Sequence, residues 1–148
     1  MIRDDNRMKL GLTIGDYPLA EKRPDLVVSA RNKSLADLTL EAVEQGAASL
    51  EDFRITPRAL RLQAEIAEAA GRPTLGRNFE RAAELVDVPQ ETILQIYELL
   101  RPGRAKSKIE LLDAARLLRE QYGAGTMAGF VEQAAEVYER RGLFTYRF

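Results

Sequence analysis

The sequence predicts an all-α protein of about six helices behind an irregular, extended N-terminal arm. Three observations carry that expectation. From residue 34 onward apolar residues recur at helical intervals, as at Leu75, Phe79, Ala82, Ala83 and Val86, and no convincing strand pattern follows. Helix-capping residues stand ahead of such runs at Ser34, Thr56 and Ser107. Gly and Pro mark their ends at Gly46, Gly71, Pro89, Pro102-Gly103, Gly123 to Gly125 and Gly142. With 148 residues, 45% hydrophobic and 30% charged, the chain suits one ordinary soluble domain, an arm over 1–33 leading into a helical domain over 34–148.

Residues 1–33 hold Gly11, Gly15, Pro18 and Pro24 among brief apolar patches, which predicts an arm rather than a core. Met8, Leu10, Leu12 and Ile14 alternate; a short extended segment is expected, with a ragged helical turn as the other reading. The first helix begins at Ser34, which makes a capping-box pattern with Asp37, and buries Leu35, Leu38, Ala42 and Val43 before Gly46. The second starts at the Thr56 cap with Pro57 in its first turn, where a missing N–H costs nothing, and presents Leu60, Leu62, Ala64, Ile66 and Ala67. The third carries the Leu75 to Val86 stripe and stops before Pro89. A fourth, with Ile93, Ile96, Tyr97 and Leu100, ends at Pro102. Ser107 and Glu110 form another capping-box pattern ahead of Leu111, Leu112, Ala115, Leu118 and Tyr122. The last helix faces its core with Met127, Phe130, Val131, Ala134, Val137 and Tyr138, and an aromatic tail of Phe144, Tyr146 and Phe148 follows.

Composition excludes several functions. A formal net charge of −1, from 22 basic and 23 acidic residues, gives no global field toward phosphate backbones or anionic membranes. No apolar run approaches the length of a membrane span and the N-terminus lacks a signal-peptide pattern, so a cytoplasmic protein is expected. There is no Cys and no His, which removes thiolate chemistry, the commonest metal ligand and the usual proton carrier near neutral pH. Neither a dinucleotide fingerprint nor a P-loop is present. The carboxylate pairs Glu51 with Asp52, Glu65 with Glu68 and Glu132 with Glu136 stand beside Arg or Lys and read as solvated helix faces with ordinary ion pairs. Ala82 to Ile93 resembles a helix-turn-helix, the alternative function being a DNA-binding regulator. Its second helix, however, offers Gln90, Glu91, Gln95 and Glu98, and two acids there would repel phosphate. Arg101, Arg104, Lys106 and Lys108 form the densest basic run, either complementing a helix C-terminus or meeting an acidic patch on a partner.

The order of local motifs is similar to that of the small subunits of diol and glycerol dehydratases. It runs from Asp16-Tyr17-Pro18-Leu19-Ala20 through Lys33-Ser34-Leu35-Ala36-Asp37-Leu38-Thr39-Leu40-Glu41, Arg54-Ile55-Thr56-Pro57 and Leu60 to Ala67. It is densest at Arg77-Asn78-Phe79-Glu80-Arg81-Ala82-Ala83-Glu84-Leu85, then Val88-Pro89, Ile93 to Tyr97 and Leu100-Arg101-Pro102. Glu110-Leu111-Leu112 and Phe130 to Tyr138 extend it, so the resemblance covers about residues 16–141. Two stretches depart from the family pattern: Ser29-Ala30-Arg31-Asn32, ahead of the lysine, and Gly103, where an aromatic residue commonly follows Arg-Pro.

The resemblance implies a heterohexamer of two large, two medium and two small subunits. Such an enzyme converts propane-1,2-diol, glycerol or ethane-1,2-diol to an aldehyde and water by radical chemistry. It implies adenosylcobalamin held between the large and medium subunits, with no catalytic, cofactor-binding or metal-binding residue on the small one. The small subunit would dock on the large one, in the cytoplasm or inside a bacterial microcompartment. Tyr17, Arg77, Asn78, Phe79, Arg81, Arg101 and Pro102 are the expected interface residues, combining the resemblance with side-chain types favoured at interfaces. Phe79 also shares the core stripe of Leu75 and Ala83, so a core role for it stays open.

Overall fold

A computed structural model describes residues 8–145. Among them the secondary structure is helical, interrupted by short 3-10 turns and a lone antiparallel bridge between Val28 and Ser34. The α-helices are α1 (Leu19–Lys22), α2 (Leu40–Glu44), α3 (Pro57–Ala69), α4 (Pro73–Leu85), α5 (Gln90–Leu100), α6 (Lys108–Tyr122) and α7 (Gly125–Arg140). The chain divides into two compact units, Met1–Val86 and Asp87–Phe148.

In the first unit α3 and α4 form an antiparallel-type pair whose boundaries follow the caps. The Thr56 hydroxyl accepts the Ala59 N–H at 3.1 Å and Pro57 opens the helix. Gly76 sets how closely the pair approaches: a Cβ there would lie 2.9 Å from the Glu68 Cγ and 3.3 Å from the Ala64 carbonyl oxygen. The arm differs from its expectation in one respect. Part of it belongs to a core: Leu12 and Leu19 are buried with Leu62 and Ile66 of α3, and Leu26 and Val27 pack against them, while Met8, Leu10 and Ile14 stay exposed. Residues 8–13 have no regular secondary structure. Their attachment is polar: the Glu65 carboxylate accepts the Leu10 N–H at 3.0 Å and the Leu12 N–H at 3.2 Å, and Lys9 pairs with Glu68 at 3.0 Å. Glu65 is therefore a buried anchor for backbone donors and not part of a solvated face, while Arg61 turns to Glu80 at 3.7 Å.

The continuous helix expected from Ser34 to Gly46 is instead a 3-10 turn, Leu35–Asp37, followed by α2. Ser34 and Asp37 do form the capping box. Thr39 then supplies a second cap through its hydroxyl to the Ala42 N–H at 3.1 Å, and the intervening Leu38 leaves helical geometry with ψ 70°. Two competing caps within six residues break one helix into two pieces.

The second unit is organised by α6 and α7. Leu111, Ala114, Ala115 and Leu118 of α6 are buried, as are Ala124 and, on α7, Ala128, Val131 and Ala135. This seam is rich in alanine and includes the expected Leu111, Ala115, Leu118 and Val131, but Phe130 is exposed and Ala128 and Ala135 face inward in its place, where small residues let the helices come close. Gly123, with φ 63°, ends α6 in the left-handed conformation, and the Ala124 N–H reaches the Leu118 carbonyl at 2.9 Å. Ser107 is the N-cap position of α6, but the Glu110 carboxylate serves the Lys106 N–H at 2.9 Å. Ile96 anchors α5, while Tyr97, expected on its apolar face, is exposed. The Tyr138 hydroxyl donates to the Leu100 carbonyl at the end of α5, and Phe144 stacks edge-on against Tyr138 at 6.2 Å. Tyr146 and Phe148, expected to pack in the tail, lie outside the described residues.

Candidate docking surface

Among the described residues no cluster of Asp or Glu has metal-binding geometry, and no helix is long and apolar enough to cross a membrane. Charged side chains are engaged chiefly with one another. Arg119 donates through both terminal nitrogens to Glu132, with one contact at 3.0 Å, and holds that carboxyl below its usual range. Lys108 reaches Glu136 and Glu139, each at 2.7 Å, and the two carboxylates raise its pKa. Arg101 and Arg104 both turn to Glu98, at 2.9 and 3.8 Å. Three members of the basic run thus have ion-pair partners within their own unit: Arg101 and Arg104 share Glu98, while Lys108, at the start of α6, lies between Glu136 and Glu139. On α5, Glu91 and Glu98 are exposed beside Gln90 and Gln95, so its surface carries the acids that disfavour a phosphate backbone.

The expected interface residues fall into three places. Arg77, Asn78, Phe79 and Arg81 share α4, where the Arg77 guanidinium donates to the Thr74 hydroxyl at 3.2 Å and the Arg81 guanidinium donates to the Asn78 amide oxygen. Phe79 is half-buried, between its two readings. Tyr17 is exposed in the arm, just after a 3-10 turn capped by Thr13 and Asp16. Arg101 and Pro102 are exposed at the end of α5, in the other unit.

The stretch between Val28 and Thr56 is built differently from the rest, and no helix periodicity foretells it. Ser29 and Asp52 are buried, at 7% and 3% exposure. The Ser29 hydroxyl donates to the Asp52 carboxylate at 2.9 Å and accepts the Arg31 and Lys33 N–H groups at 3.2 and 3.1 Å. Arg31 grips Asp52 with two nitrogens, Nε at 3.0 Å and Nη2 on the other oxygen, and also touches the Ala47 carbonyl at 3.4 Å. The Ser49 N–H adds a contact to the same carboxylate at 3.0 Å. The Arg31 guanidinium first, then the Ser49 N–H and the Ser29 hydroxyl, hold the Asp52 carboxyl well below the usual carboxylate range against the opposing effect of burial.

Asp52 was expected on a solvated face with Glu51; Glu51 is exposed, but Asp52 is the hub of this knot. Around it the apolar side chains point outward: Leu50 is 86% exposed, Leu40 76%, Ile55 58% and Phe53 54%, with Leu35 and Val43 also exposed. The legible signal was Ser49 three residues before Asp52, a capping-box spacing with apolar residues on either side of the acid.

Against known proteins, residues 12–145 match a family model described as dehydratase small subunit. The chain is 52% identical over 128 residues to a propanediol dehydratase small subunit of Citrobacter freundii, covering 86% of this chain and 74% of that protein. The corresponding protein of Salmonella typhimurium is also 52% identical over 128 residues, with 86% and 73% covered.

Proposed function

Because the chain belongs to the dehydratase small-subunit family, we propose that it is the structural small subunit of an adenosylcobalamin-dependent diol dehydratase. The family match carries this reading, and the residue content supports it. The family resemblance implies that the cofactor lies between the large and medium subunits, and with no histidine and no cysteine this chain offers neither an imidazole nor a thiolate to a cobalt centre. Adenosylcobalamin supplies radical chemistry there, removing water from propane-1,2-diol, glycerol or ethane-1,2-diol to leave an aldehyde.

This chain's own part is mechanical. It docks on the large subunit, with Tyr17, Arg77, Asn78, Phe79, Arg81, Arg101 and Pro102 as candidate contacts, and limits motions that would admit water or oxygen to the radicals. The assembly is a heterohexamer of two large, two medium and two small subunits, located in the cytoplasm or inside a bacterial microcompartment.

The test is reconstitution of large and medium subunits with and without this chain, followed by an aldehyde assay with and without adenosylcobalamin. Cofactor-dependent aldehyde formation that falls or decays faster when the chain is omitted is the expected result. Undiminished activity in its absence, or turnover by the isolated chain, would overturn the proposal.

A further inference from the structure

We infer that residues 35–55 are a preordered, inside-out docking segment that seats on an apolar, basic-rimmed face of the companion large subunit. This rests on the reading of the chain as a dehydratase subunit and adds a docking surface that contains none of the candidate contacts named above.

The first argument is the inversion itself. Isolated exposed apolar residues are ordinary, but exposed apolar side chains in the same segment as buried polar ones call for an explanation. Here Leu40, Leu50, Phe53 and Ile55 are outside, while Ser29 and Asp52 are inside.

The second argument is the cost of order. A stretch with only one five-residue helix would lose conformational entropy on being fixed, without apolar burial to offset it. Yet it is pinned at short intervals. Ser34 caps with Asp37, Thr39 with the Ala42 N–H, Ser49 with Asp52, and the Arg31–Asp52–Ser29 knot closes the whole loop. The polar groups fix the backbone and the apolar groups are left for something else to cover. Fixing the segment in advance lowers the ordering cost at association.

Charge selects the occupant. Across residues 31–55 the cations Arg31, Lys33 and Arg54 face five carboxylates, Asp37, Glu41, Glu44, Glu51 and Asp52. Arg31 is already committed to Asp52. The exposed rim is therefore acidic, which disfavours an anionic lipid surface or a nucleic acid. A second copy of the chain, meeting through a two-fold, would set the acidic rim against itself. A different polypeptide with an apolar centre and basic rim has neither problem. In this arrangement Asp52 is a positioning residue: it touches no partner and holds the loop that does.

The experiment titrates the full chain against the purified large and medium subunits. The double variant Leu50→Asp with Phe53→Asp is expected to keep its helical circular dichroism and to weaken association by at least about tenfold. Leu40→Asp, at the first position of α2 where an acid suits the helix, provides an independent variant should the double one lose structure. Ile109→Asp, equally apolar and exposed but at the start of α6, is expected to bind like the parent, within about twofold. If the parent binds and both segment variants bind as well as it does, the segment assignment falls and the subunit reading stands. If the parent does not bind at all, both fall. Self-association of the parent that the double variant abolishes would overturn the inference in favour of a second copy.

Discussion

Between Lys108 and Arg140 the buried side chains are apolar and the ion pairs lie outside; between Val28 and Thr56 a serine and an aspartate are buried while several large apolar side chains are exposed. In the α6–α7 hairpin the seam is closed by Leu111, Leu118 and Val131, all fully buried, and the ion pairs Arg119–Glu132 and Lys108–Glu136 lie in solvent. Order there follows from burial, at roughly 25 cal/mol for each Å² of apolar surface removed from water. In the 28–56 stretch a serine hydroxyl and an aspartate are buried, with Ala48 the one buried apolar side chain, and order follows chiefly from hydrogen bonds to backbone N–H groups. The first arrangement is self-sufficient. The second leaves Leu40 and Leu50 in water and fits a chain that completes its surface against another polypeptide.

Truncating a core leucine should break the symmetry between the two regions most visibly. Leu118→Ala removes a side chain with no exposure from a seam that alanines already hold tight, and should cost about 2–5 kcal/mol in denaturant titrations. Leu50→Ala, the same chemical change in the other region, should stay within about 0.5 kcal/mol of the parent. Comparable losses from both would mean that Leu50 is packed in the folded chain and that the inside-out description is wrong.

Gly76→Val sharpens the contrast from the α3–α4 pair. Its Cβ would collide with Glu68 Cγ and press on the Ala64 carbonyl, so overpacking should outweigh the helix propensity gained over glycine, for a net loss of about 1–3 kcal/mol in thermal unfolding. Unchanged stability would show that the two helices part easily, unlike α6 and α7.

Asp52→Asn should act locally. The carboxyl is depressed chiefly by Arg31, so its folded value lies below the unfolded value of about 3.9. Such a group contributes its full stabilisation above that value, and the contribution fades as pH falls from there through the folded value. Protection of the Arg31, Lys33 and Ser49 amides, taken relative to the intrinsic exchange rate at each pH, should therefore fall in the parent on acidification below about pH 4. The variant should exchange faster already at neutral pH, with a flatter acid dependence. Asp37, lowered mainly by the Ser34 hydroxyl, leaves a residual slope in the same loop. Protection within α6 should not change; if it does, the knot is not a local device.

The same contrast explains what the sequence disclosed. The all-α class, the start of α3 at Thr56-Pro57, the end of α6 at Gly123 and the spans of α4 and α5 were legible because periodicity, caps and breakers act within a few residues. The seam of α7 was placed rightly at Val131 but wrongly at Phe130 and without Ala128 and Ala135, since Phe130 is as apolar as Val131 and only the approach of α6 selects the alanine side. The knot and the arm anchor were hidden for a different reason. Arg31 and Asp52 are 21 positions apart and Glu65 meets the Leu10 N–H across 55, so apart from the Ser49–Asp52 capping-box spacing neither contact leaves a local pattern. Leu35 and Val43 were assigned to the apolar face of a continuous helix from Ser34, whereas Thr39 cuts that helix in two and both side chains are exposed. The expected contacts Arg77, Asn78, Phe79 and Arg81 lie together on α4 because they are neighbours in one helical stretch, while nothing local marked Leu50 or Phe53 as exposed.

The smallest effect should come from the surface ion pair of the self-sufficient hairpin. Arg119 and Glu132 face each other in a fork geometry across α6 and α7, but both side chains are roughly half exposed, at 47% and 40%. Solvent and salt screen such a pair, and fixing two long side chains opposes it entropically. Glu132→Gln should therefore shift the melting temperature far less than Leu118→Ala, and the shift should shrink further at high salt. A loss approaching that of the leucine would mean that charge, and not the alanine-lined seam, holds α6 to α7. The two regions would then be ordered by the same kind of force.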